Sequence, residues 1–258
     1  MSPVMNENRF LCTRCGLCCQ GWLPLTLCEA LTEAERFPLA MVLTPVKSSD
    51  KTFPLAERIG LPIPITKRQH VALVASPTAY IPPSLRCPAL SPDNRCALHP
   101  NKPLRCRTMP FDPRRAEDRQ ADLLVPRKGW SCVTGAEAPV VYRDRRVVER
   151  TDFENERQAL LDQAGEVRTW TAKLLQRDAS LAQRVTHAAQ SPIQQRVVVT
   201  FFPFLRMGSP ANLQDFARHQ IKAVTLWAAK TANLPSCEPE HAYYTRVRAE
   251  LEPFVQDA

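Results

Sequence analysis

Four cysteines fall within eight residues as Cys12-x-x-Cys15-x-x-Cys18-Cys19, and no other feature narrows so far what this chain can fold into. Thiols two residues apart turn onto one side of a short loop, where they can meet one metal ion or one iron–sulfur cube. Six more cysteines follow. Cys87-Pro88, Cys96-Ala97-Leu98-His99, Pro103-x-x-Cys106-Arg107 and Trp130-Ser131-Cys132 make a second block, while Cys28 and Cys237 stand outside both. An even set of ten could be read as disulfides, but such frameworks belong mainly to small secreted domains. Residues 1–11 are polar and lack an apolar h-region, which predicts a cytoplasmic chain whose thiols stay reduced.

Eight of the thiols, Cys12, Cys15, Cys18, Cys19, Cys87, Cys96, Cys106 and Cys132, are the candidate metal ligands. The first three have the spacing of bacterial ferredoxin runs, which need a remote fourth thiol often followed by proline. Cys87-Pro88 fits that description, so Cys12, Cys15, Cys18 and Cys87 are expected to hold the principal centre. Adjacent side chains of an extended segment point to opposite faces, so Cys18 and Cys19 should not share one ion. Two sites, or one site with a further thiol beside it, follow from that geometry. An iron–sulfur centre of the 4Fe-4S type is the first reading; zinc or mononuclear iron is the alternative, since eight thiols also suit two four-cysteine zinc sites. Arg105 and Arg107 flank Cys106 and are expected to face the cofactor, offsetting the negative charge of a thiolate cluster. His99, three residues after Cys96, is read as a packing or hydrogen-bonding residue rather than a ligand, and Cys28 and Cys237 as small buried hydrophobes.

Composition sets the outer bounds. With 258 residues, 44% apolar and 23% charged, the chain has the make-up of a soluble globular protein of one large or two small domains. No apolar run approaches the ~20 residues of a membrane span, and Val197–Leu205 reads as a buried helix or strand. A net charge of +8 draws attention to Lys102, Arg105, Arg107, Arg114, Arg115, Arg119, Arg127 and Lys128. Asp112, Glu117, Asp118 and Asp122 dilute this patch and no nucleic-acid motif accompanies it, so it reads as a solvated surface or as the surroundings of an anionic cluster; the expected contact of the chain is a protein substrate or partner, with nucleic acid not expected. No Ser/His/Asp signature and no phosphate loop is visible.

Thirteen of the 24 prolines lie between Pro45 and Pro113, so residues 1–150 are expected to form an irregular module stapled by metal. Such a staple contributes on the order of 10 kcal/mol in small zinc modules. Within it, Thr32 and Glu35 suggest a capped helical turn, and Val71–Ala75 and Ala121–Val125 suggest strands. Residues 151–258 read as a bundle of four or five helices. Thr151-x-x-Glu154 resembles a capping box ahead of a stripe running from Leu160 through Val167 and Trp170 to Leu175. Ser191-Pro192 and Asn212 with Asp215 mark further helix starts, and Tyr243, Val247, Leu251 and Phe254 line the last helix. The expected fold class is mixed and mostly α.

Taken with their Pro and Arg punctuation, Cys12-x-x-Cys15-x-x-Cys18-Cys19, Cys87-Pro88-Ala89-Leu90, Arg95-Cys96-Ala97-Leu98-His99 and Lys102-Pro103-Leu104-Arg105-Cys106-Arg107-Thr108-Met109-Pro110 resemble the YkgJ-type cysteine-cluster family of zinc- or iron-chelating domains. The resemblance covers roughly residues 9–135. That family is similar in cysteine pattern to flagellin lysine N-methylase, which is held to carry a 4Fe-4S cluster, so the resemblance implies S-adenosylmethionine-dependent modification of a protein substrate. Two functions of different class follow: an enzyme or enzyme subunit with an iron–sulfur centre, or a zinc-stapled module that binds a partner protein without catalysis.

Overall fold

The computed structural model describes residues 7–66, 68–99, 101–208 and 213–255. In chain order the elements are β1 (Glu7–Arg9), β2 (Leu23–Pro24), α1 (Leu27–Thr32), β3 (Leu39–Val46), α2 (Phe53–Ile59), β4 (Leu61–Thr66), β5 (Gln69–Ala79) and α3 (Leu104–Thr108). There follow β6 (Val140–Arg143), β7 (Arg146–Val147), α4 (Thr151–Asp162), α5 (Ala164–Arg177), α6 (Ala179–Gln190), β8 (Val197–Thr200), α7 (Phe202–Gly208), α8 (Leu213–Thr231) and α9 (Glu238–Leu251).

Two antiparallel sheets organise these elements, so the fold is mixed α/β and not mostly α as the sequence suggested. The larger has the order β2-β5-β3-β8, with β4 also paired to β5. β3 and β5 run in unbroken register from Leu39↔Ala79 to Val46↔Ala72. The smaller has the order β1-β6-β7. The sheet escaped the sequence pattern for a physical reason: seven of the eight residues of β3 are buried, on both faces alike, so no alternation of apolar and polar residues marks it.

Prolines sit in this sheet where a missing N–H costs nothing. Pro62 and Pro64 lie in β4, an edge strand of alternating exposure. Pro45 in β3 lies beyond Ala40–Leu43, the stretch that β8 covers. Pro77 in β5 falls between the stretches paired with β4 and β2, although its carbonyl still accepts from Leu25 N–H at 2.9 Å. The proline-rich segment is therefore regular over much of its length.

Several local expectations change in the same way. Val71–Ala75 is strand as expected, but Ala121–Leu124 is a 3₁₀ turn. The capping box belongs to Thr26 and Glu29 at the start of α1, and Thr32 ends that helix instead of opening another. Thr151 is the first residue of α4 and does not cap it; the long stripe is split at Gln163 into α4 and α5. Ser191-Pro192 leads not into a helix but toward β8, and Val197–Leu205 is strand followed by helix. α8 begins at Leu213 as expected, though Asn212 lies outside the described residues. Tyr243, Val247 and Leu251 are buried along α9.

Packing does not respect a boundary at residue 150. β8 completes the sheet begun by β3, and one core joins Phe37, Leu39, Met41, Leu43, Leu73 and Ile81 to Trp170, Val185, Phe201, Trp227 and Tyr244. Hydrogen bonds cross the same line. Gln220 of α8 accepts from Leu39 N–H at 2.6 Å and donates to the carbonyls of Ala34 and Phe37, while the Tyr243 and Tyr244 hydroxyls donate to Leu39 and Tyr80 carbonyls. A second, smaller core of Phe10, Phe111, Leu124, Tyr142, Val147 and Phe153 underlies the three-stranded sheet, with Cys132 packed against it.

Candidate metal centre

The cysteine run occupies a tight loop between β1 and β2, built by two residues in the left-handed region, Arg14 (φ 58°) and Gly16 (φ 76°). Glycine is required at position 16: a Cβ there would lie 3.0 Å from Leu90 and 3.1 Å from Arg86 and Asn94, on a backbone that strains any L side chain. The turn closes with Cys19 N–H on the Gly16 carbonyl at 3.0 Å.

Two remote segments return to this loop, one on each side. Leu11 and Val133 exchange backbone hydrogen bonds of 2.8 and 3.0 Å, and the Ser131 backbone hydrogen-bonds the Cys15 sulfur. This brings Cys132 to Cys12, Cys15 and Cys18. On the other side Gln20 pairs with Arg86, and Cys87 N–H donates to the Cys19 carbonyl at 2.8 Å. Leu90 bridges to Cys96, Ala97 N–H donates to Ala89 at 2.7 Å, and Pro103 starts α3, which carries Cys106. Glu29, already used in the α1 capping box, accepts from Leu104 N–H at 2.6 Å and fixes α3 to α1.

Electrostatics divide the thiols along the same line. Burial raises Cys132, and the nearby Cys12, Cys15 and Cys18 raise it further. Burial pushes Cys106 up to about 12, with Cys87, Cys96 and Cys18 adding to the effect and Arg105 opposing it. Cys87 is raised by burial and by Cys96. Cys19 is lowered by its hydrogen bond with Cys18, against burial and the presence of Cys106, Cys87 and Cys96. Cys15 is lowered, chiefly by the Ser131 backbone. By these effects Cys132 is felt with Cys12, Cys15 and Cys18, and Cys19 with Cys87, Cys96 and Cys106, while Cys18 also acts on Cys106. The adjacent Cys18 and Cys19 sulfurs, 4.0 Å apart, stand where the two sets meet. The sequence pairs Cys87 with the ferredoxin-like trio; in the structure the remote thiol on which that trio acts is Cys132.

All ten cysteines are free thiols, and a set of four thiols is the donor chemistry of zinc and iron–sulfur sites. Among the described residues no three cysteine, histidine or acidic side chains stand close enough together to hold an ion as they lie.

Arg105 and Arg107 are engaged elsewhere. Arg105 pairs with Asp112 at 3.5 Å and the buried Glu156 at 3.2 Å and donates to the Phe111 carbonyl; Arg107 pairs with Asp152. These contacts fasten α3 to α4, and Arg105 reaches the thiols only through its charge on Cys106. His99 is exposed on the turn after Cys96. Cys237 is buried against the Ser84 and Ser236 hydroxyls, whereas Cys28 is exposed on α1, contrary to expectation. Lys102, read from sequence only as part of the basic patch, has its charge felt at Cys18, and sequence reasoning missed the Ser131 backbone, which leaves no side-chain signal.

Residues 11–123 match a family model named CxxCxxCC and described as "Putative zinc- or iron-chelating domain". No curated protein and no solved structure matches the chain. The match contains every cysteine of both sets except Cys132, and ends before the helices from α4 onward. The match agrees with the resemblance of the cysteine pattern to the YkgJ-type family of zinc- or iron-chelating domains.

Proposed function

We propose that the cysteine-rich segment holds two metal centres, one on Cys12, Cys15, Cys18 and Cys132 and the other on Cys19, Cys87, Cys96 and Cys106, and that both are iron–sulfur centres of the 4Fe-4S type. One observation supports the reading: Cys132 is felt with Cys12, Cys15 and Cys18, and Cys19 with Cys87, Cys96 and Cys106, with the Cys18 and Cys19 sulfurs 4.0 Å apart where the sets meet and Cys18 also felt at Cys106. The same crossing-over occurs in two-cluster ferredoxins, where the last cysteine of the run serves the other cluster. Bound clusters would supply one-electron carriage. Around them the chain's own residues do the holding: Gly16 sets the loop, the Leu11–Val133 and Gln20–Arg86 pairs bring the remote thiols home, and Glu29 fixes α3. The more buried second set lies against the main core, so it also ties the loop to the sheet.

Metal analysis of anaerobically purified protein tests this. Two centres of this type correspond to about eight iron and about eight acid-labile sulfide per chain. Cys132→Ser and Cys96→Ser should each remove about half, from different centres. Zinc without sulfide would overturn the iron–sulfur assignment while leaving the two sets in place. Complete loss of metal from each single variant, with the protein still folded, would overturn the division itself.

A further inference from the structure

The basic stretch that the sequence shows as one patch is two in the structure. Arg105, Arg107, Arg114 and Arg115 all pair with carboxylates, which neutralises that half. Arg14, Lys102, Arg127 and Lys128 form no ion pair among the described residues. Arg14 and Lys102 lie by the first thiol set, and Arg127 and Lys128 lead into the segment that carries Cys132. Arg14 lies between Cys12 and Cys15, Lys102 acts on Cys18, and Arg127 and Lys128 precede the Trp130–Val133 segment bonded to Leu11 and Cys15. Neither residues 11–20 nor residues 125–135 contain a single Asp or Glu.

Apolar side chains are interleaved with these cations and face water: Leu11, Leu17 and Val125, the last 72% exposed. The Arg127 guanidinium lies over the Trp130 ring, 5.4 Å from its centroid, which holds that cation at the surface. Cys12 and Cys18 are themselves exposed here. A thiol set with two exposed members, on segments that carry cations without ion pairs among the described residues and exposed apolar side chains, has the make-up of a protein docking face, where charge steers the encounter and apolar contact holds it.

We infer that this face, formed by residues 11–18 and 125–133, docks an acidic electron-carrier protein over the Cys12/Cys15/Cys18/Cys132 set. The choice of carrier rests on the iron–sulfur reading; the choice of an acidic protein rests on the surface alone. Exposed leucine and valine among the cations favour a protein over a nucleic acid, whose backbone would leave them uncovered.

Flavodoxin, an acidic flavin-bearing carrier, serves as the probe, with binding to the immobilised metal-loaded protein measured at low and high salt. Binding should weaken with salt, and the double reversal Arg127→Glu with Lys128→Glu should weaken it roughly tenfold at low salt. Lys173→Glu with Arg184→Glu, on exposed faces of α5 and α6, should leave it unchanged. No binding, equal weakening by both double variants, or no weakening by the first overturns the proposal. Tight binding of a single-stranded oligonucleotide that the Arg127/Lys128 variant abolishes, with flavodoxin unbound, overturns it in favour of nucleic acid. Iron, sulfide and zinc assayed on the same samples separate the two readings: zinc-loaded protein that still binds flavodoxin through Arg127 and Lys128 contradicts the clusters and not the docking face.

Discussion

Replacing Gln220 by Met isolates the bonds that tie α8 to the start of β3. The side chain is almost wholly buried and fully used: its carbonyl accepts from Leu39 N–H at 2.6 Å, and its amide donates to Ala34 at 2.5 Å and Phe37 at 2.9 Å. Methionine has nearly the same volume, so the cavity contribution is small. What remains is one N–H and two carbonyls without partners in a dry interior, each costing about 1–3 kcal/mol. The expected loss is about 4 kcal/mol, after some relief from the more apolar side chain, against a total stability of about 5–15 kcal/mol. Urea unfolding followed by far-UV circular dichroism and by tryptophan fluorescence measures it. Because Trp170 and Trp227 share a core with β3 and β5, both signals should shift together to lower urea. A loss below about 1 kcal/mol, or a helical signal that moves while the rest stays, would refute the shared core across residue 150.

The two carboxylates on Arg105 should respond oppositely to neutralisation. Burial pushes Asp112 up, but Arg114 and Arg105 more than reverse this, so its carboxyl lies below the ordinary range; its stabilisation exists above the unfolded value of about 3.9 and is lost as pH falls through the folded one. Asp112→Asn should therefore cost about 2–4 kcal/mol at pH 7 and flatten the acid limb of the stability curve, read by urea titration at several pH values. Glu156 is raised by burial and its second oxygen has no partner, so Glu156→Gln should change stability at pH 7 by less than about 1 kcal/mol; a loss equal to that of Asp112→Asn would contradict this account. Gly16→Ala should lower the melting temperature by several degrees and reduce metal uptake, through a strained backbone and a Cβ at 3.0 Å from Leu90, whereas Gly165→Ala, in open space on a helix, should gain about 0.5–1 kcal/mol. Equal effects of the two glycine substitutions would remove the role given to the loop.

Short-range features were legible in the sequence, since spacing alone imposes them. The Cys12–Cys19 run forms a tight loop, as its spacing suggests, but the expected parting of Cys18 and Cys19 assumes an extended segment; in a turn with Arg14 and Gly16 in the left-handed region their sulfurs come to 4.0 Å. The buried stripes of α5, α8 and α9 were readable because one face of each is polar. β3 was not, because helices and neighbouring strands bury both its faces and erase the alternation. Arg105 and Arg107 sit beside Cys106 in sequence, yet α3 turns them toward carboxylates of α4 and the following loop, contacts across more than forty residues in two of the three pairs. The assignment of remote thiols was likewise beyond the sequence. Cys132 reaches the first three cysteines through the Leu11–Val133 backbone pair, and Cys87 reaches Cys19 through the Gln20–Arg86 pair. Backbone hydrogen bonds between distant segments are made by groups every residue shares, so no residue type announces them, and only the folded chain decides which cysteine comes home to which set.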